Sequence, residues 1–119
     1  MRFDNNENLD LIFGALADAT RRGMLAQLSE GEVNITALAE PYDMSQPAIS
    51  KHLRVLERAG LISRSRRGRD HYIKAVAGTA EQAGGWIAYY AKFWKQQFDD
   101  VESYLQVNNQ SKGESINDD

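Results

Sequence analysis

The sequence predicts a mainly helical fold of five helices, with one small β-hairpin set before the last of them. Three observations carry this reading. Apolar residues recur at spacings of three and four along most of the chain. Ser, Asn, Asp, Gly and Pro stand at the ends of those runs. Two short, polar-flecked runs around Gly68 instead hold β-branched or aromatic members. A length of 119 residues leaves room for one domain with a modest core. An apolar fraction of 42% and a charged fraction of 26% suit an ordinary globular chain.

Leu9, Ile12, Phe13 and Leu16 fall on one face of a first helix. Asp18 is the expected N-cap of a second helix, with Met24, Leu25 and Leu28 as its apolar positions and Gly31 as its stop. Ile35, Leu38, Ala39 and Tyr42 repeat the spacing in a short third helix, started by Asn34 and closed around Pro41. After Asp43-Met44, Ser45 caps a fourth helix whose first turn tolerates Pro47, because the N–H that proline lacks has no helical partner there. Met44 and Ile49 are placed to form a hydrophobic staple, and the helix is expected to run to Ala59 with Gly60 after it. Leu61 to Arg66 and Arg69 to Val76 read as a hairpin joined at Arg67-Gly68. A long last helix opens at Thr79 or Glu81 and ends near Leu105, with Ile87, Tyr90, Trp94, Phe98, Val101 and Leu105 on one stripe. The expected domain therefore spans residues 8–105, between a flexible polar start at 1–7 and a disordered tail at 106–119.

The net charge of −3 is unevenly spread. From Ser45 to Lys74 eight Lys/Arg face two acids, a net of +6, while the remainder of the chain carries −9. An acidic body with one basic region is the footprint of a protein that presents one face to phosphate. With no cysteine, disulfides and thiolate metal sites are excluded. Neither a signal peptide nor an apolar run long enough for a bilayer is visible, so a cytoplasmic location is expected. No Gly-rich phosphate loop, nucleophile with an adjacent base or metal cluster can be assembled, so neither enzymatic activity nor a cofactor is expected.

The third and fourth helices with their short link form a helix-turn-helix candidate, the geometry that lays a second helix in the major groove of duplex DNA. Ile49, Leu53 and Leu56 make the buried stripe of the fourth helix, which leaves Gln46, Ser50, Lys51 and Arg54 on the outward side. Gln46 suits adenine, Lys51 suits guanine O6 or N7, Ser50 suits several bases or phosphate, and Arg54 suits phosphate. Ser45 and His52 of the same helix complete the expected contacts. At the hairpin, Arg66, Arg67 and Arg69, with Arg64 nearby, gather around Gly68 as a cationic tip for the minor groove or flanking phosphates; a solubilising edge strand is the other reading. A protein-docking face would instead show apolar or aromatic anchors, which this helix lacks.

The last helix holds seven of the eleven aromatic residues, more than one stripe can use. The simplest cover is the same helix of a second copy together with the first helix. This puts Leu9, Ile12, Phe13, Trp86, Ile87, Tyr90, Trp94, Phe98 and Val101 at a homodimer interface. A small-molecule effector pocket between subunits is the alternative use of that surface.

Three stretches carry a family resemblance: ALADATRR at 15–22, MSQPAISKHLRVLERAGLI at 44–62 and RRGRDHY at 66–72. They resemble ArsR-type winged helix-turn-helix repressors, over about residues 9 to 105. The resemblance implies five helices and a wing, dimerisation through the first and last helices, and repression until a signal releases it. Two recognition helices related by a twofold axis are expected to sit across a partly palindromic operator. Many members sense metals through cysteines before the recognition helix, or through His and carboxylates on the last helix. Here there is no cysteine, the two histidines are His52 and His71, and Asp99, Asp100 and Glu102 offer only hard oxygen ligands, so metal sensing is not expected. The aromatic-rich last helix, with its Trp-x-x-x-Tyr and Phe-Trp pairs, resembles the branch of the family that does not sense metals. Ala19 replaces the family's usual proline, and Lys74 its usual apolar strand residue.

Overall fold

Polar side chains close the first turns of three helices, each at the residue expected to cap it. In the computed structural model, which describes residues 6–112, Asp18 Oδ2 accepts the Arg21 backbone N–H at 3.1 Å, Asn34 Oδ1 accepts that of Thr36 at 2.8 Å, and Ser45 Oγ accepts that of Ala48 at 3.3 Å. The elements are α1 (Asn6–Leu16), α2 (Ala19–Gln27) followed by a 3₁₀ turn (Leu28–Glu30), β1 (Val33–Asn34), α3 (Ile35–Ala39), α4 (Gln46–Arg58), β2 (Ile62–Arg67), β3 (Asp70–Ala75) and α5 (Ala77–Lys112).

The chain divides between Gly84 and Gly85 into two compact units. In the first, the helical stripes converge on one core: Leu9, Ile12 and Ala15 from α1, Met24 and Leu28 after it, Leu38 of α3, Ile49, Leu53 and Leu56 of α4, then Leu61, Ile62, Ile73 and Ala83. Removing each of the largest of these from water contributes about 1.5–3 kcal/mol. Leu9 and Ile12 are thus corrected from their expected place at a dimer interface. At 6% and 0% exposure they seal the protomer's own interior, and the exposed large apolar side chain of α1 is Leu11. Asn8 Nδ2 also donates to Gln82 Oε1 at 2.9 Å, which ties α1 to the start of α5.

The sheet has three antiparallel strands in the order β1-β3-β2. β1 was not expected, since two residues are too few to show alternation; Val33 pairs with Ile73 and Asn34 with Tyr72. Along the hairpin Ile62 pairs with Ala75, Arg64 with Ile73, Ser65 with Tyr72 and Arg67 with Asp70. The loop is therefore Gly68-Arg69, one position later than expected. Gly68 occupies the left-handed region at φ 65°, which glycine alone enters without steric cost. Gly60, at φ 77°, ends α4 in the same way.

The second unit is the part of α5 from Gly85 onward. Its aromatic rings make a ladder: Trp86 stacks on Tyr90 at 5.1 Å between centroids, Tyr90 meets Trp94 at 6.0 Å, and Trp94 meets Phe98 at 5.9 Å and Phe93 at 5.6 Å. Ile87, Tyr89, Tyr90, Phe93, Trp94, Phe98, Val101, Tyr104, Leu105 and Val107 are exposed. α5 continues to Lys112 instead of stopping near Leu105, because no Pro or Gly interrupts the polar residues before Gly113. Residues 1–5 and 113–119, within the expected flexible start and tail, lie outside the described residues. Among the described residues no helix is long and apolar enough to cross a membrane.

Candidate nucleic-acid interface

α4 is built to hold a polar face steady. Its cap, Ser45, and Pro47 in the first turn fix where it starts, and Ile49, Leu53 and Leu56, at 6%, 0% and 0% exposure, fix its rotation. Ser45, Gln46, Lys51 and Arg54 are consequently exposed, and Ser50 is half-buried. No acidic side chain among the described residues forms an ion pair with Lys51 or Arg54.

His52, also expected among the DNA contacts, has neighbours within the chain. It lies on the flank of α4 nearest α2, half-buried, with Nδ1 3.1 Å from Arg21 Nη1 and 3.8 Å from Asp18 Oδ2. The same Arg21 donates from Nε to the Ala15 carbonyl at 2.8 Å and from Nη2 to the Gly14 carbonyl at 3.2 Å.

α3 ends at Ala39, earlier than its apolar spacing suggested. Pro41 has no N–H to give the Ala37 carbonyl, which accepts from Glu40 N at 3.3 Å instead. Tyr42, expected on the helix, instead braces the turn: its hydroxyl donates to Gln27 Oε1 at 2.8 Å, and Gln27 Nε2 donates to the Leu38 carbonyl at 3.1 Å. Burial pushes the Tyr42 hydroxyl pKa up. A Cβ on Gly23 would come within 2.6 Å of the Tyr42 hydroxyl oxygen, so the absent side chain there makes room for the brace.

In the wing, residues paired across the strands share a face. Arg64 and Arg66 lie on the face of Ile62 and Ile73, and Arg64 Nη2 reaches Glu57 Oε1 of α4 at 3.4 Å. Ser65, Arg67 and Tyr72 lie on the opposite face, where Arg67 sits 4.0 Å over the Tyr72 ring and pairs with Glu32. Arg66 Nε donates to the Gly68 carbonyl at 3.0 Å, and Arg69 is exposed at the tip. Of the remaining residues expected at a dimer interface, Phe13 and Trp86 are half-buried, while Ile87, Tyr90, Trp94, Phe98 and Val101 are exposed. Among the described residues no three His, Cys, Asp or Glu side chains come together as a metal site.

Residues 18–64, from the cap of α2 into β2, match the family model described as bacterial regulatory protein, arsR family. The transcriptional repressor SdpR of Bacillus subtilis is 33% identical over 76 residues, a match covering 64% of this chain and 84% of that protein. The chain belongs to the ArsR family. The HTH-type transcriptional regulator YuzN of Bacillus subtilis, itself uncharacterized, is 46% identical over 72 residues, 54% of this chain and 77% of that protein. A crystal structure of an ArsR family transcriptional regulator superposes with a TM-score of 0.73 at 35% identity, covering 77% of this chain and 95% of the other. This ArsR-family chain is accordingly a winged helix-turn-helix, a sequence-specific DNA-binding transcriptional regulator and not an enzyme.

For the ArsR-family fold read from sequence alone, Arg21, Gln27, Glu32 and Tyr42 were not expected to support the site. Each acts on a distant partner, and spacing along the chain gives no sign of it. Asp18 is the exception, legible as a cap. The Arg21 backbone N–H that it accepts holds its carboxyl below the ordinary aspartate range, with help from the Arg21 guanidinium and His52 and against some desolvation. A depressed carboxylate contributes stability that is complete above its unfolded pKa, about 4, and lost as pH falls through the folded value. Asp18→Asn keeps an acceptor oxygen and removes the charge. Urea midpoints of the two proteins are expected to differ at neutral pH and to converge below about pH 4. A gap that persists unchanged into acid would refute the charge's role.

Proposed function

We propose that this regulator is a cytoplasmic homodimeric repressor that sets its two α4 helices into successive major grooves of a partly palindromic operator and so excludes polymerase. The observation that carries the reading is the division of α4. Three aliphatic residues lock one side, and the other presents Gln46, Lys51 and Arg54 without an apolar anchor. Lys51 reads guanine, Gln46 reads adenine, Ser50 and Ser45 bond bases or the adjoining backbone, and Arg54 holds phosphate. Arg66 and Arg69 of the wing meet flanking phosphates or the minor groove. The exposed apolar arc of α5 (Ile87, Tyr90, Trp94, Phe98 and Val101), with Trp86 beside it and Phe13 and Leu11 of α1, is covered by the second copy. Its length of aromatic surface supports an association strong enough to present two reading helices at once.

In vitro selection from a random duplex pool tests the proposal as a whole. Enriched sequences are expected to contain two inverted half-sites with centres about 10 bp apart, one helical turn. Enrichment of unsymmetrical sequences, or none above the starting pool, would overturn it.

A further inference from the structure

The four arginines of the wing fall into two classes. Arg64 and Arg67 each face a carboxylate, Glu57 and Glu32, whereas Arg66 donates to a backbone carbonyl and Arg69 lies exposed at the tip. The surroundings of Arg67 are the more complete. Glu32 immediately precedes β1, so its side chain shares the sheet face of Asn34, Tyr72 and Ser65. One carboxylate oxygen accepts from Arg67 Nη2, the other accepts from the Ser65 hydroxyl at 3.4 Å, and the Tyr72 ring lies beneath the guanidinium at 4.0 Å. The carboxylate thus takes an edge of the guanidinium fork that a phosphate would use.

We propose that Glu32 masks Arg67 and withholds one sequence-blind phosphate contact, leaving Arg66 and Arg69 as the wing's DNA contacts and making Glu32 the residue that caps the wing's affinity for any duplex. This rests on the reading that the wing meets DNA. An approaching phosphate encounters a neutral pair, and taking Arg67 would leave Glu32 facing the polyanion. Neutralising Glu32 while keeping its shape removes that obstacle. Each phosphate engaged steepens the dependence of log K on log salt by about 0.9, whatever the sequence. The pair sits on the surface, with side chains 59% and 35% exposed, so its neutralisation is tolerated by the fold.

The test compares salt slopes on one random-sequence duplex for the full chain and three variants, with thermal melts to verify folding. Glu32→Gln is expected to bind more tightly and to steepen the slope by about 0.9, which adds about a 3.5-fold fall in affinity for each fourfold rise in salt. The double variant Glu32→Gln/Arg67→Gln, with the neutral pair abolished, is expected to return to the original slope. Arg69→Ala is expected to lose about 0.9. A flat Glu32→Gln, with the double variant falling about 0.9 below the original, would make Arg67 a direct contact and overturn the mask while leaving the wing on DNA. No movement in any variant, Arg69→Ala included, would take the wing off the duplex and overturn both readings.

Discussion

Trp94→Glu is expected to yield a folded monomer that binds the selected operator about 10²–10⁴-fold more weakly than the original chain, the advantage lost when two linked binding events become one. Trp94 touches three other rings, with Tyr90, Phe93 and Phe98 all within 6.0 Å between centroids, and it is nevertheless 40% exposed. In the proposed twofold interface a carboxylate placed there would be buried against apolar surface with its symmetry mate close by, and neither charge would have a partner. Sedimentation equilibrium reads the mass, far-ultraviolet circular dichroism the helix content, and titration of labelled operator the affinity. Lys95→Gln, on the polar side where Lys95 pairs with Asp99 at 3.1 Å, serves as the control that keeps the dimer. An unchanged mass and affinity for Trp94→Glu would remove α5 from the interface.

The second large effect is on reading. Lys51→Ala is expected to cost about 1–3 kcal/mol on the selected operator and to flatten preference at one base pair in each half-site, because a lysine that donates to guanine discriminates as well as attracts. Lys51 stands one turn after Pro47 on the exposed side of a helix whose rotation is fixed by Leu53, so its truncation leaves the buried face untouched. Competition assays with operators altered base by base measure the effect. An equal loss on operator and random duplex would reassign Lys51 to the phosphates.

Much of the fold could be read along the chain, since Asp18, Asn34 and Ser45 cap their helices through bonds to residues two or three positions away. The apolar stripe of α4 was equally plain, because 3.6-residue periodicity states which side is inward. Which stripe faces what was harder. Leu9 and Ile12 have the spacing of an interface as much as of a core, and only the neighbouring helices decide that they are interior. The hairpin loop slipped by one position because Arg-Gly and Gly-Arg are both acceptable two-residue loops. The slip puts Arg67 on β2 instead of in the loop, and Arg69 in the loop instead of on β3. β1 and the contacts of Arg21, Glu32 and Tyr42 depend on residues far apart in sequence, and nothing local announces them.

Arg21 has a mechanical consequence. One planar group grips the last carbonyls of α1, at Gly14 and Ala15, and the ring of His52 in the middle of α4, while its own backbone N–H is held by the α2 cap. Twisting any of these three helices against another breaks at least one of those bonds. The three helices therefore share one set of bonds, and a tilt imposed on α1 from outside would strain the seating of α4, whose outward side carries Gln46, Lys51 and Arg54.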